Sequence, residues 1–259
     1  MTANTKEKPV AIVTGASSGM GLGITRALLE HDYRVVANSR TISKSKDLKP
    51  SADLVLVDGD IGKKETATKV VEAAVKHFCR IDLLVNNAGI YIPKPFTEYT
   101  PEDFEMMIGT NVAGYFFITQ QAVAQMRKQK SGHIVSIATV LTEQPLAGAP
   151  ITLPVITKST IPAFSRALAM EYVAEGIRAN TISPGVVDTP MWVGLNEDLR
   201  AIHDQPVGAD PMSEFATGTL MGRAASPAEL APFLVYLASS ESDYMTGQMY
   251  MVDGGQILV

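Results

Sequence analysis

Several features that would each point to a class of function are scarce in this chain. It has one cysteine, Cys79, among 259 residues. That excludes an internal disulfide, and its place late in a helical pattern suggests packing and not chemistry. No run approaches the roughly 20 apolar residues of a membrane-spanning helix. The polar opening, Met1 to Lys8, lacks the apolar centre of a signal peptide, so a soluble cytoplasmic protein is expected. A net charge of −5 without a lysine or arginine cluster argues against nucleic acid as a partner. The four histidines, His31, His77, His133 and His203, show no ligand spacing, so no metal is expected. Internal repeats, low-complexity tracts and interdomain linkers are also missing. Apolar residues, by contrast, make up 46% of the chain and charged residues 19%. A chain of this length and composition supplies the core of one α/β domain covering residues 1–259.

The chain is organised around Thr14-Gly15-Ala16-Ser17-Ser18-Gly19-Met20-Gly21. The apolar run Val10-Ala11-Ile12-Val13 before it reads as a buried strand. Leu22, Ile24, Ala27, Leu28 and Leu29 after it suit one face of a helix. Glycines in such a turn let the main chain approach a pyrophosphate, and the helix N-terminus offers free N–H groups and positive dipole. The Gly-x3-Gly-x-Gly spacing by itself also fits an ordinary strand-to-helix turn.

Further strands are expected at 34–38, 54–57, 81–85, 134–137, 177–182 and 249–252. Helices are expected at 63–78, 101–130, 158–173 and 228–238. Strands alternating with helices imply a parallel sheet covered on both faces. Residues 189–222 break the rhythm, being rich in Pro, Gly and Met. A long irregular segment after a strand end reads as a substrate lid.

With these marks placed, the chain resembles the short-chain dehydrogenase/reductase family over nearly its full length. The matching motifs are Thr14 to Gly21, Asp60-Ile61, Asn86-Asn87-Ala88-Gly89, Asn111, Ser183-Pro184-Gly185, Thr189 and Asp253-Gly254-Gly255. The resemblance implies a doubly wound Rossmann-type α/β domain with a seven-stranded parallel sheet. It also implies a bound nicotinamide cofactor, a small-molecule alcohol or carbonyl substrate, and a homodimer or homotetramer. Carried over residue by residue, Gly15, Ser17, Ser18, Gly19, Met20 and Gly21 would cradle the pyrophosphate. Asp60 and Ile61 would hold the adenine, and Asn87, Ala88 and Gly89 would line the cofactor. Pro184, Gly185, Val187 and Thr189 would hold the carboxamide, and Lys158 would anchor a ribose. An acidic residue at the end of the second strand would favour NAD. Here Ser39 and Arg40 stand there, and a guanidinium pairs with a 2′-phosphate, so NADP(H) is expected over NAD(H).

The resemblance breaks at the chemistry. The family's usual set is a serine, a Tyr-x-x-x-Lys and an asparagine on the preceding helix. Asn111 and Lys158 match, and Thr139 falls where the serine is usual. Pro154 stands at the tyrosine position. Thr139 and Lys158 are also two residues further apart than is usual in the family. Pro154 suits a helix's first turn, whereas Pro162 is expected to kink the same helix. The catalytic candidates are therefore Asn111, Thr139 and Lys158. Tyr91, His203, Thr157 or a held water are possible substitute acids, Tyr91 reading better as pocket wall and His203 as a solvated lid residue. Three functions remain open, the least favoured being a lyase or hydrolase that reuses the scaffold, because the cofactor motifs are intact. One is an NADP(H)-dependent oxidoreductase with a non-standard proton donor; another is a non-catalytic nucleotide-binding sensor or assembly partner.

Overall fold

Seven parallel strands form one sheet in the computed structural model, which describes residues 8–258. The polar opening, apart from Lys8, lies outside the described residues. The strands are β1 (Val10–Thr14), β2 (Arg34–Ser39), β3 (Leu54–Asp58), β4 (Leu83–Asn86), β5 (Gly132–Ile137), β6 (Ile177–Pro184) and β7 (Met249–Val252). Their spatial order is β3-β2-β1-β4-β5-β6-β7, the doubly wound arrangement that the family resemblance implied. Eight α-helices accompany them among the described residues: α1 (Gly19–Glu30), α2 (Lys64–Phe78), α3 (Pro101–Ile108), α4 (Tyr115–Gln129), α5 (Thr152–Tyr172), α6 (Met191–Ile202), α7 (Pro211–Thr217) and α8 (Pro227–Ala238). No described helix is long and apolar enough to cross a membrane.

Successive strand residues point to opposite faces, so each central strand feeds two cores. Ile12, Val36, Leu84 and Ile134 pack with Val70, Ala74, Ile118 and Met126 from α2 and α4. Ala11, Val13, Val35 and Val135 pack with Ile24, Leu28, Leu234 and Leu237 from α1 and α8. Burial on both faces is why these strands read as continuous apolar runs and not as alternating ones. Chain leaving β1 builds one layer and chain leaving β4 the other. These two strands are neighbours, so a crevice opens beyond their carboxyl ends, where such sheets bind ligands.

Four expectations need correction. The helix expected over 101–130 is interrupted by a π-helical turn at Gly109–Gly114, a wider coil of the kind often found at functional sites. The fourth strand begins at Leu83, because the Gln129 side chain holds Ile81 by both backbone groups, accepting from N at 2.9 Å and donating to O at 2.7 Å. Helix α5 starts at Thr152, six residues earlier than expected, and continues as one helix through the buried Pro162. Cys79 is exposed and ends α2 with a left-handed backbone (φ 66°), so it is a helix stop and not a packing residue.

Candidate active site

The glycine turn and the end of β4 interlock. Gly15 and Gly19 adopt positive φ of 66° and 52°, a conformation only glycine takes without strain. A side-chain carbon on Gly21 would lie 2.2 Å from the Gly15 carbonyl oxygen, and one on Gly15 2.8 Å from the Ala88 Cα. The Asn87 amide donates to the carbonyls of Thr14 (2.9 Å) and Gly15 (3.2 Å). Thr14 Oγ1 accepts from the backbone N–H of Asn87 and Ala88, both at 3.1 Å. The Asn87 amide thus braces the turn, and the residue also lines the cavity beyond it. Ser18 is the N-cap of α1, but its side chain makes no capping bond, so it leaves the first N–H groups of the helix to a ligand. Thr189 closes over this end, with its Cγ2 3.2 Å from where a Gly19 Cβ would sit.

The adenosine side follows β2 and β3. Ser39 pairs with Asp58 across the two strand ends, and Arg40 is exposed just beyond. The Asp58 carboxylate is turned toward Ser43, which donates to it from its backbone N–H at 2.8 Å. The Ser43 hydroxyl, which also donates to this carboxylate, and then its backbone N–H hold the Asp58 pKa below the usual carboxylate range. Asp60 is exposed and accepts from Gly62 N at 2.9 Å. The Ile61 side chain lies in the core against Gly114.

The π-turn places Asn111 under Gly89. Its Oδ1 accepts from Ile90 N, and its Nδ2 donates to Ile90 O, all at 2.9 Å, and to Thr157 Oγ1 at 3.1 Å. Thr157 in turn donates to the Pro154 carbonyl at 3.0 Å. Pro154 is the third residue of α5, where a helix N–H has no intrahelical partner, so its missing donor costs nothing. It is buried and does not line the pocket. One turn further along α5, Lys158 sends its ammonium back to Ile137 O at 2.9 Å. A side-chain carbon on Gly89 would lie 3.1 Å from Lys158 Nζ and 3.4 Å from Asn111 Oδ1. Burial pushes the Lys158 pKa down from 10.5 to about 8.

Beside this lysine lies a cavity of about 180 Å³. Thr139 lines it just past β5, with Oγ1 in a 3.4 Å contact with Leu141 N. Pro184, Gly185, Val187 and Thr189 line the wall below, and α6 and α7 roof it through Leu195, Leu199 and Phe215. The segment 189–222 is therefore more helical than its composition suggests. Tyr91 is on the cavity wall, and burial raises its pKa well above the ordinary value. His203 caps α6 and is exposed, as expected of a solvated residue. Sequence reading missed Gln256, whose Oε1 is buried at the cavity without a partner. Its signal was only its place directly after Asp253-Gly254-Gly255. Among the described residues no group of acidic, histidine and cysteine side chains has a metal-holding arrangement.

Comparison with known proteins places this geometry. Residues 15–256 match a family described as enoyl-(acyl carrier protein) reductase. The chain is 30% identical to the diacetyl reductase [(S)-acetoin forming] of Staphylococcus epidermidis, the match covering 95% of this chain and 98% of that protein. Among solved structures it resembles the 3-ketoacyl-(acyl-carrier-protein) reductase of Brucella melitensis complexed with NADH. The identity is 26% and the TM-score 0.85, covering 97% and 99% of the two chains. It also resembles YwfH, an NADPH-dependent reductase involved in bacilysin biosynthesis, at 25% identity and TM-score 0.86, covering 97% and 99%.

Proposed function

The chain belongs to the short-chain dehydrogenase/reductase family of NAD(P)-dependent oxidoreductases, and we propose that it interconverts an alcohol and a carbonyl with NADP(H), using a proton donor other than tyrosine. The observation that carries this reading is the position of Lys158, whose ammonium meets Gly89 on one side and the apolar cavity on the other. The residues present suit a dinucleotide. Gly15, Ser17, Ser18, Gly19, Met20 and Gly21 would cradle the pyrophosphate in a turn so tight that a Cβ at Gly15 or Gly21 would collide with neighbouring backbone. Asp60 and the backbone at Ile61, whose side chain is in the core, would flank the adenine end; Asn87, Ala88 and Gly89 would form the floor; and Pro184, Gly185, Val187 and Thr189 would hold the carboxamide end. Ser39 and Arg40 favour a 2′-phosphate.

When bound, the nicotinamide ring supplies or accepts hydride. The chain supplies the proton. With its pKa near 8, the Lys158 ammonium gives a proton to the developing alkoxide and regains one from water. Thr139 holds the substrate oxygen. Asn111 has both amide protons engaged, so its part is to fix Gly89–Ile90 against α5. Tyr91, with its raised pKa, is a reluctant donor, and His203 faces solvent. We read the protein as a cytoplasmic homo-oligomer, its exposed Phe116 and Met170 suiting a subunit contact.

A spectrophotometric assay with NADPH and NADH over a carbonyl panel tests this. Lys158→Met is expected to lower kcat by roughly 10²–10⁴-fold, the usual contribution of a positioned acid. Arg40→Ala is expected to weaken NADPH about tenfold while leaving NADH unchanged. Pro154 at the tyrosine position favours a second reading, a nucleotide-binding protein without turnover. Tight NADPH binding with no turnover across the panel would support it, and turnover abolished by Lys158→Met would exclude it.

A further inference from the structure

The cavity's lining says which compounds it accepts. On the oxidoreductase reading above, we propose that the substrate is a compact, neutral, largely apolar ketone or its alcohol, with a second hydrogen-bonding group that Gln256 recognises. Among the described residues no aspartate, glutamate, arginine or histidine lines the cavity, and Lys158 is the one charged side chain there. A carboxylated or phosphorylated substrate thus finds no guanidinium to hold it in the bidentate manner such anions favour.

Two of the amide and indole groups on the wall are engaged already, and the Tyr91, Thr139 and Thr189 hydroxyls remain to donate. Asn87 donates to Thr14 and Gly15, and the Trp192 indole donates to Val187 O at 3.0 Å. Thr139 accepts from Leu141 N. Gln256 is different, because its Oε1 is buried with no partner. The turn carrying it is rigid: the Asp253 carboxylate accepts from Gly255 N at 3.0 Å and from Ile257 N at 2.9 Å, and Ile257 is buried. A buried acceptor held ready in this way gains from a ligand donor and penalises ligands that lack one. A sugar would bring hydroxyls on every face against a wall made mostly of Ile, Val, Leu, Met, Ala and Phe side chains.

Volume sets the size. A dry cavity of about 150 Å³ holds a benzene molecule, and this one measures about 180 Å³. Pro184, Gly185, Val187 and Thr189, which would hold the cofactor's carboxamide, line part of this space, so the substrate has less than that volume and is at most one ring or a short branched chain.

The test uses Trp192, the only tryptophan in the chain, which lines the cavity. Its fluorescence reads ligand binding without turnover. The intact protein, saturated with NADP+, is titrated with cyclohexanone, 2-hydroxycyclohexanone, glucose and levulinate. Both cyclic ketones are expected to bind, the hydroxyketone roughly tenfold tighter, as one hydrogen bond allows. Glucose and levulinate are expected to bind far more weakly. Gln256→Met should abolish the hydroxyketone's advantage while leaving cyclohexanone and NADP+ affinity unchanged, and Gln256→Glu, which keeps an acceptor, should preserve it. Equal binding of glucose or levulinate overturns the proposal. So does a Gln256→Met variant that weakens only NADP+, which would give Gln256 to the cofactor. Selective ketone binding without NADPH consumption would instead sink the oxidoreductase reading and leave the pocket's selectivity standing.

Discussion

Lys158 carries a stability cost that its chemistry requires. An unfolded lysine holds its proton to about pH 10.5, whereas this one releases it near 8 when folded. Between those values the unfolded state binds more protons, so stability rises with pH across that window. Below pH 8 the buried charge is a standing penalty. Lys158→Met is accordingly expected to raise the melting temperature by several degrees at pH 7, with the gain shrinking toward pH 10. Calorimetry at both pH values checks this, and a lower melting temperature at pH 7 would contradict it. At this scale the sequence was informative where a motif fixes spacing: Asn111 and Lys158 both lie beside Gly89. It was silent on Gln256, because an unpaired amide is a property of the surrounding fold and not of any local pattern. It also missed that Asn87 is committed to bracing its neighbours, since both partners, Thr14 and Gly15, are more than 70 positions away.

Elements were legible in kind and less so in extent. Apolar runs marked every strand, most plainly the central ones, whose burial on both sides leaves no ambiguity of face; the edge strands β3 and β7 are only partly buried. Helix ends were harder. The Gly109–Gly114 segment looks like tolerated glycines inside one long helix, and its wider coil is imposed by packing, with Gly114 against Ile61. The start of α5 at Thr152 was obscured by Pro154, which fits a first turn only when the preceding chain is already placed. The glycine turn gives a clean test at this scale. Gly21→Ala puts a carbon into the space of the Gly15 carbonyl, and isothermal titration is expected to show NADPH affinity falling by more than about 100-fold. Gly194→Ala, on α6 with open space around its Cα, is the control. It is expected to keep affinity and to add up to about 1 kcal/mol of helix stability.

The whole molecule leaves large apolar side chains in water along α3, α4 and α5: Phe104, Met106, Phe116 and Met170 are all exposed, Met170 at 84%. Surfaces of this kind commonly meet a partner, and a homodimer or homotetramer is expected. Sedimentation velocity should show it, and Phe116→Glu with Met170→Glu should shift the population to monomers; a wild-type monomer at all concentrations would refute it. The joining of Thr14 to Asn87 also bears on how the protein is made. The nucleotide cradle is closed by residues 73 positions apart, and such distant contacts form late because a long loop must close first. During synthesis, then, a nascent chain that has emerged only as far as β3 has the glycine turn but no brace for it. Capture of the dinucleotide must wait until β4 has left the ribosome and docked beside β1.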